Sequence, residues 1–163
     1  MTLSTVTEAP AVTQVGMGQI AVAQQPNRLT AVLGSCVGVV LYHPRLQVGA
    51  LCHVVLPASN GRPSAAGKFA DTAIPEMLKL LEKHGAYASG MVAKITGGSC
   101  MFGNGGPMQI GEANIQAVTV MLKDAGIKIV GRDVGGTIGR RIHFDAATGQ
   151  VTVETVGLPP RII

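Results

Sequence analysis

The stretch LTAVLGSCVGVVLYHPRLQVGALCHVVLP, Leu29 to Pro57, decides the architecture of this 163-residue chain. Its Val- and Leu-rich runs predict strands, and a turn at 43–46 separates the two strongest of them. Two later segments, roughly 71–84 and 112–125, carry apolar residues at helical spacing and predict helices. The order strands, helix, strand, helix, strands predicts an α+β fold, a single-domain layered α/β sandwich with mixed sheets and two main helices on one side.

The size and composition of the chain fit one domain with an aliphatic core. Hydrophobic residues make up 47% of the sequence, whereas aromatic residues make up 3% and Trp is absent. Residues 1–13 lack the basic start of a signal peptide, so we expect a flexible leader followed by one domain at 14–163. No run approaches the roughly 18 apolar residues of a membrane span, and we expect a cytoplasmic protein that does not insert into membranes.

The charges and cysteines narrow the function classes. The net charge is +4, but aromatic residues are few and no basic run is longer than Arg140-Arg141, which disfavours nucleic-acid binding. Arg140 and Arg141 form a loose basic set with Lys128 and Arg132. We interpret this set as a solvated face or as a surface for an acidic partner. The three cysteines form no C-x-x-C pair, so we expect no disulfide framework, no metal site and no cofactor.

Cys36 and His53 lie in the strands on either side of the turn. In a hairpin with a symmetric register, Tyr42 faces Gln47, and counting outward brings Cys36 opposite His53. Directly opposed residues have Cβ atoms about 4.5–5.5 Å apart, so a thiol and an imidazole there can share a hydrogen bond. An imidazolium at that distance stabilises a thiolate and passes a proton to a leaving group. The spacing therefore predicts a nucleophile and its base.

Two alternatives to a catalytic pair stay open at this point. An isolated Cys in an apolar stretch is usually a buried filler, and a lone His on a strand is usually held by structural hydrogen bonds. Cys52 points to the opposite strand face from His53 and is predicted to be core, which also argues against a zinc site built from Cys36, Cys52 and His53. Cys100, in a glycine-rich loop, is the second candidate nucleophile.

Small residues precede the candidate nucleophile. Gly34 and Ser35 add little bulk before Cys36, and the backbone N–H groups near Ser35 and Cys36 are candidates for an oxyanion site. Two later glycine-rich segments, 97–107 and 133–141, lack the G-K-[ST] of a phosphate loop. These segments are typical of turns that need positive φ. Alternatively, they form the walls of a groove around Cys36.

Five sequence motifs together resemble the signature of one family. The opening stretch, AKITGGSCM, IGEANI, DVGGTIGRRIHF and TGQVTV are similar in kind and order to CheD, the family of bacterial chemoreceptor glutamine deamidases, over roughly residues 15–157. The resemblance implies a catalytic domain with a Cys-His-Thr triad. By position, Cys36 is the nucleophile, His53 its base and Thr30 the residue that orients the imidazole.

The chain departs from the family pattern in two places outside this triad. The segment 96–99 reads T-G-G-S where F-G-G-A is usual, and Ala113 stands where Arg is usual. These departures bear on substrate specificity and on partner contacts.

The resemblance also implies a reaction and partners. The Cys36 thiolate attacks a glutamine side chain in the cytoplasmic helices of a methyl-accepting chemoreceptor, and water hydrolyses the resulting thioester to glutamate. Glutamyl methyl esters follow the same acyl-transfer path, and a CheC-type phosphatase is a second implied partner. Two other function classes stay open: a non-catalytic chemotaxis adaptor that binds receptor or phosphatase, and a cysteine hydrolase with an unrelated substrate.

Overall fold

The computed structural model of the protein describes residues 9–101 and 109–163. Within these ranges it contains ten strands in two five-stranded sheets, and two α-helices. The strands are β1 (Val12–Gln14), β2 (Ile20–Gln24), β3 (Arg28–Leu33), β4 (Val37–His43), β5 (Val48–Val54), β6 (Val92–Gly97), β7 (Lys128–Val134), β8 (Arg140–Asp145), β9 (Val151–Thr155) and β10 (Arg161–Ile162). The helices, α1 (Ala70–Glu82) and α2 (Ile110–Asp124), confirm both predicted helices to within two residues.

Both sheets are mixed, as predicted. The outer sheet has the order β1-β3-β8-β9-β10, in which only the β1–β3 pair is parallel. The inner sheet has the order β2-β5-β4-β6-β7, in which only the β6–β7 pair is parallel. The protein therefore has the predicted α+β fold.

Burial explains why the central strands read as continuous apolar runs. All seven residues of β5 and six of the seven in β4 are buried, because the inner sheet is covered on both faces. In β3 of the outer sheet, by contrast, buried and exposed positions alternate: Leu29, Ala31 and Leu33 face inward, while Arg28 and Val32 are exposed. The hydrophobic pattern thus reports which layer a strand occupies.

Two cores hold the three layers together. One core lies between the two sheets, and the other lies between the inner sheet and both helices. Ile74, Met77 and Leu81 of α1 and Val118 and Leu122 of α2 are buried in this second core, so the two helices cover one side of the inner sheet, as predicted. Each fully buried aliphatic side chain of this size contributes about 1.5–3 kcal/mol.

The first strand of the outer sheet, β1, lies close to the start of the described residues. Val12 pairs with Arg28 and Thr13 with Leu29 in parallel β1–β3 pairing, so the last two residues of the predicted leader, residues 1–13, lie in a strand. Residues 1–8 of that leader lie outside the described residues. Within the described ranges, no helix has the length and apolar character needed to cross a membrane.

Candidate active site

The register of the β4–β5 hairpin differs from the predicted one. His43 pairs with Val48, and Gly38, instead of Cys36, lies directly opposite His53. The turn is displaced by one residue because the Leu46 N–H donates to Nδ1 of His43 at 3.2 Å and Gln47 takes a left-handed conformation with φ of 50°. The prediction that Cys36 directly faces His53 was therefore wrong by two residues.

A two-residue error leaves every side chain on its predicted face of the sheet. Cys36 packs in the core between the two sheets, and His53 lies on that face of β5 because its neighbours Cys52 and Val54 point into the helix-side core. The two groups are diagonal neighbours across the end of the hairpin. Gly38 lies opposite His53 without a side chain, and a Cβ there would contact Leu33 Cδ1 at 2.9 Å.

Cys36 lies in a short loop before β4, and hydrogen bonds hold the backbone of this loop in place. Gly98 N–H donates to the Cys36 carbonyl at 2.8 Å. The neighbouring Gly97 has a φ of 98°, and a Cβ on it would lie 2.4 Å from the Cys36 carbonyl oxygen, so only glycine fits at this position. The Gly34 carbonyl accepts bonds from both the N–H and the hydroxyl of buried Ser99, at 3.0 and 2.8 Å. Among the described residues, the N–H groups of Ser35 and Cys36 donate to no acceptor.

The imidazole of His53 is held by a backbone carbonyl. Its Nδ1 lies 3.1 Å from the Val15 carbonyl oxygen, which can only accept, so Nδ1 carries the proton and Nε2 of the neutral ring keeps its lone pair. The His53 backbone is fixed as well, by bonds with Gln19 and Gly18. Within the described part of the chain, no hydrogen bond joins the Cys36 thiol to this ring.

Thr30 is connected to His53 through the backbone of Val15. The Val15 N–H donates to the Thr30 carbonyl at 2.8 Å, and the Val15 carbonyl holds the imidazole. The Thr30 hydroxyl itself donates to the carbonyl of Ile142 in β8 at 2.8 Å. These hydrogen bonds therefore connect Thr30 to the histidine through the backbone of one residue, Val15, which follows β1, while the Thr30 hydroxyl bonds within the outer sheet.

Burial sets the protonation state of the pair. It raises the pKa of the Cys36 thiol above its usual 9.0, and it lowers the pKa of His53 below its usual 6.5, which the hydrogen bond to Val15 only partly offsets. Both shifts favour a neutral thiol beside a neutral imidazole at pH 7. The thiolate and imidazolium expected from the sequence are thus the disfavoured form before substrate binds.

The other two cysteines occupy different surroundings. Cys52 is fully buried on the helix side, its thiol donates to the Gly67 carbonyl at 3.3 Å, and burial raises its pKa to about 12, which confirms the predicted core role. Cys100 is half-buried, and its N–H donates to the Gly136 carbonyl at 2.8 Å. Among residues 9–101 and 109–163, no group of three or more His, Cys, Asp or Glu residues could hold a metal ion.

The segment 133–141 packs beside the loop that carries Cys36. Gly135 and Gly136 have positive φ, as predicted for turns, and Gly135 N–H donates to the Gly97 carbonyl at 2.9 Å. A Cβ on Gly139 would lie 3.0 Å from the Leu33 carbonyl. These contacts support the interpretation of this segment as a wall beside Cys36; residues 102–107 of the other predicted wall, 97–107, lie outside the described residues.

The position of Arg140 differs from the one expected from the sequence. It was predicted to belong to a solvated basic face, yet it is buried and its guanidinium pairs with Asp133 at 2.5 Å. The same guanidinium donates to the carbonyls of Asp133 and Gly135, and exposed Arg161 contacts the other Asp133 oxygen. A buried ion pair with these backbone bonds anchors the wall segment, while Lys128, Arg132 and Arg141 are exposed as expected.

Sequence reasoning missed three groups at this site: the Val15 carbonyl, Ser99 and Asn114. The Asn114 side chain is buried on α2 and donates to the carbonyls of Ser35 and Val55. An amide on the apolar face of a predicted helix was the one available signal, because a buried polar side chain needs partners. The two departures from the family pattern also lie near this point, since Thr96 is buried in β6 beside Gly38 and exposed Ala113 precedes Asn114.

Comparison with known proteins gives one consistent set of relatives. The family profile described as "CheD chemotactic sensory transduction" matches residues 55–155. The chain is similar to the "Probable chemoreceptor glutamine deamidase CheD" of Desulforamulus reducens, at 43% identity over 156 residues that cover 92% of this chain and 94% of the relative. It is also similar to the "Chemoreceptor glutamine deamidase CheD" of Thermotoga maritima, at 42% identity over 144 residues, 88% of this chain and 91% of the relative.

Proposed function

Because this chain belongs to the CheD family, we propose that it is a protein glutamine deamidase that converts specific glutamines of methyl-accepting chemoreceptors to glutamate. The names of its relatives support the substrate and the reaction. The observation that carries the mechanism is the placement of Cys36 and His53 on the same face of adjoining strand ends, with the His53 ring held by Val15.

In the first half of the proposed reaction, the thiol is activated as it attacks. Nε2 of neutral His53 takes the Cys36 proton while Sγ forms a bond with the side-chain amide carbon of the glutamine, and the carbonyl electrons move to oxygen. The resulting imidazolium gives that proton to the amide nitrogen as the C–N bond breaks. Ammonia leaves, and the glutamyl group is a thioester on Cys36.

In the second half, the same histidine activates water. Nε2 accepts a proton from the attacking water, a second tetrahedral intermediate forms, and its collapse breaks the C–S bond and returns the proton to the Cys36 sulfur. The product is a glutamate side chain, which releases its proton to solvent. A glutamyl methyl ester meets the same steps with methanol as the leaving group, so methylesterase activity is part of the proposal.

The oxyanion of both intermediates needs hydrogen-bond donors close to Cys36. The N–H groups of Ser35 and Cys36 fit this task because they donate to no acceptor among the described residues. The bonds from Ser99 to the Gly34 carbonyl fix the loop that carries these donors. Donors held in place before the reaction stabilise developing charge without a cost of reorganisation.

The product changes the charge of the partner. Each conversion replaces a neutral amide with a carboxylate on a receptor helix, which adds repulsion within a helical bundle and shifts its signalling equilibrium. A CheC-type phosphatase that binds the deamidase is the second partner we propose, and it would compete with the receptor for the protein.

The proposed function is tested by following receptor glutamines directly. The protein is incubated with a chemoreceptor cytoplasmic fragment, and peptide mapping by mass spectrometry counts the glutamines that become glutamate. We expect time-dependent conversion at a small number of positions. Binding of several receptor fragments without any conversion would contradict the proposal and identify a non-catalytic adaptor, whereas conversion of unrelated proteins alone would indicate a hydrolase with a different substrate.

A further inference from the structure

One polar side chain on α2 reaches the nucleophile loop and the strand that carries the base. Asn114 is fully buried, on the face of the helix that otherwise presents Val118 and Leu122 to the core. A buried amide is costly unless it is hydrogen-bonded, so its partners indicate why it is there. Its Nδ2 donates to the Val55 carbonyl at 2.9 Å and to the Ser35 carbonyl at 3.2 Å.

These two carbonyls lie immediately beyond the end of the β4–β5 ladder. The last backbone pair of the hairpin is Val37 with Val54. One step further out, the chain has Cys36 on one side and Val55 on the other, with Ser35 two steps out, and no ladder bond joins these residues. The single NH₂ group of Asn114 bonds both sides and so substitutes for the missing backbone pairing at the point where the reactive residues sit.

The orientation of the amide follows from its partners. Both partners are carbonyl oxygens, which only accept hydrogen bonds, so the NH₂ end must face them. The Asn114 oxygen is buried and has no partner among the described residues. An amide kept at the cost of an unpaired oxygen is better explained by its two donor bonds than by its own contribution to packing.

From these contacts we propose that Asn114 is a positioning residue for the reaction, which sets the separation and orientation of the Cys36 thiol relative to the His53 imidazole; this inference rests on the proposed function. Ser35 adjoins the nucleophile, and Val55 lies two residues after the base, so movement of either carbonyl displaces one of the two reacting groups. The Asn114 amide donates only to backbone carbonyls among the described residues, so it acts on the two reacting groups through the backbone.

The test compares Asn114→Leu and Asn114→Asp with the wild-type protein in the receptor deamidation assay. Leucine removes both donors at similar volume, and the Asp carboxylate keeps the shape but supplies acceptors only. Because a misplacement of about 1 Å costs about 10²-fold in rate, we expect kcat to fall about 10- to 100-fold in both variants while KM changes less than about threefold. A fall in kcat alone indicates lost alignment of reacting groups after substrate has bound.

Val118→Ala is the matched control. Val118 is buried one turn further along α2 and contacts the same core, so its truncation destabilises the protein without removing a bond to Ser35 or Val55. All variants are assayed at a temperature at which circular dichroism shows each to be folded. The inference requires that Val118→Ala keep the wild-type kcat. Equal losses of kcat in Val118→Ala and Asn114→Leu, or no loss in Asn114→Leu, would overturn it.

A second readout separates this inference from the proposed function. The rate of Cys36 alkylation by iodoacetamide, followed by peptide mapping, needs no receptor. Cys36 is 8% exposed in the structure, and the loop freed in Asn114→Leu exposes it further, so alkylation of its thiol at a fixed pH is expected to be faster than in the wild-type protein and in Val118→Ala. If wild-type protein converts no glutamine, the proposed function fails, and alkylation rates that are equal in all three proteins overturn the positioning role.

Discussion

Replacing Cys36 with serine is expected to lower the rate of receptor glutamine conversion by at least about 10³-fold, because the hydroxyl is a much weaker nucleophile in a site built for a thiol. The substitution exchanges one buried atom for a smaller one, so the fold and the binding of a receptor fragment are expected to persist. The rate is measured by mass spectrometry of the receptor peptides under saturating fragment, where kcat alone is observed.

Cys100→Ser is the control for this substitution. Cys100 lies in the neighbouring loop and is half-buried, so a general effect of thiol loss appears in both variants. We expect Cys100→Ser to keep a rate within about threefold of wild type, because the substitution removes no group that takes part in the proposed reaction. Conversion that survives in Cys36→Ser and disappears in Cys100→Ser would reverse the assignment of the nucleophile.

His53→Gln is expected to lower kcat/KM by about 10²- to 10⁴-fold, the usual contribution of general acid–base catalysis. The pH dependence gives the sharper signature. The neutral imidazole is the reactive form, and burial lowers its pKa below 6.5, so wild-type kcat/KM is expected to be level near pH 7 and to fall only as the pH drops below 6.5. His53→Gln has no group to protonate there, so its residual rate is expected to lose this acid limb.

The dependence of kcat/KM on alkaline pH distinguishes a neutral Cys36–His53 pair from a preformed thiolate–imidazolium pair. Burial raises the pKa of Cys36 above 9.0, so the neutral thiol persists through neutral pH and no decline in kcat/KM is expected between pH 7 and that value. A thiolate–imidazolium pair would instead lose activity on the alkaline side as the imidazolium deprotonates, at a pH raised above 6.5 by the neighbouring thiolate. An acid limb that persists unchanged in His53→Gln would show that another group accepts the proton.

The layers of the fold were predictable because the burial of each strand and helix determines the order of apolar and polar residues along its sequence. The runs at 37–43 and 48–54 are mostly apolar, since the inner sheet is covered on both faces, and the two helices show their buried stripe at helical spacing. That Cys36 and His53 share one face of the sheet followed from the way successive side chains alternate between the two faces of a strand. These features depend on neighbours in sequence, which is why local reasoning reached them.

The hairpin register was not predictable, because it depends on details of one turn. A bond from the Leu46 N–H to the His43 ring and a left-handed Gln47 shift the pairing by one residue in the loop. A four-residue turn is compatible with either register, and hydrophobic alternation does not separate them when the error is two residues. In the observed register Gly38, a residue without a side chain, lies opposite His53.

The supports of the site were missed because they come from distant parts of the chain. The contact between Asn114 and Ser35 spans 79 residues, and the contact between His53 and Val15 spans 38. Thr30 entered the sequence-based triad by resemblance alone, and in the structure its carbonyl meets the Val15 peptide while its hydroxyl bonds Ile142. Such tertiary contacts leave no periodic trace in the sequence.

The central claim, that the Cys36 thiol and the His53 imidazole act as one unit, is tested most directly by the rate of the double variant Cys36→Ser/His53→Gln. Residues that share a proton in one step are strongly non-additive, so the double variant is expected to convert receptor glutamine about as slowly as the slower single variant. If the two losses multiply instead, the side chains contribute independently, and the proton transfer between them is contradicted.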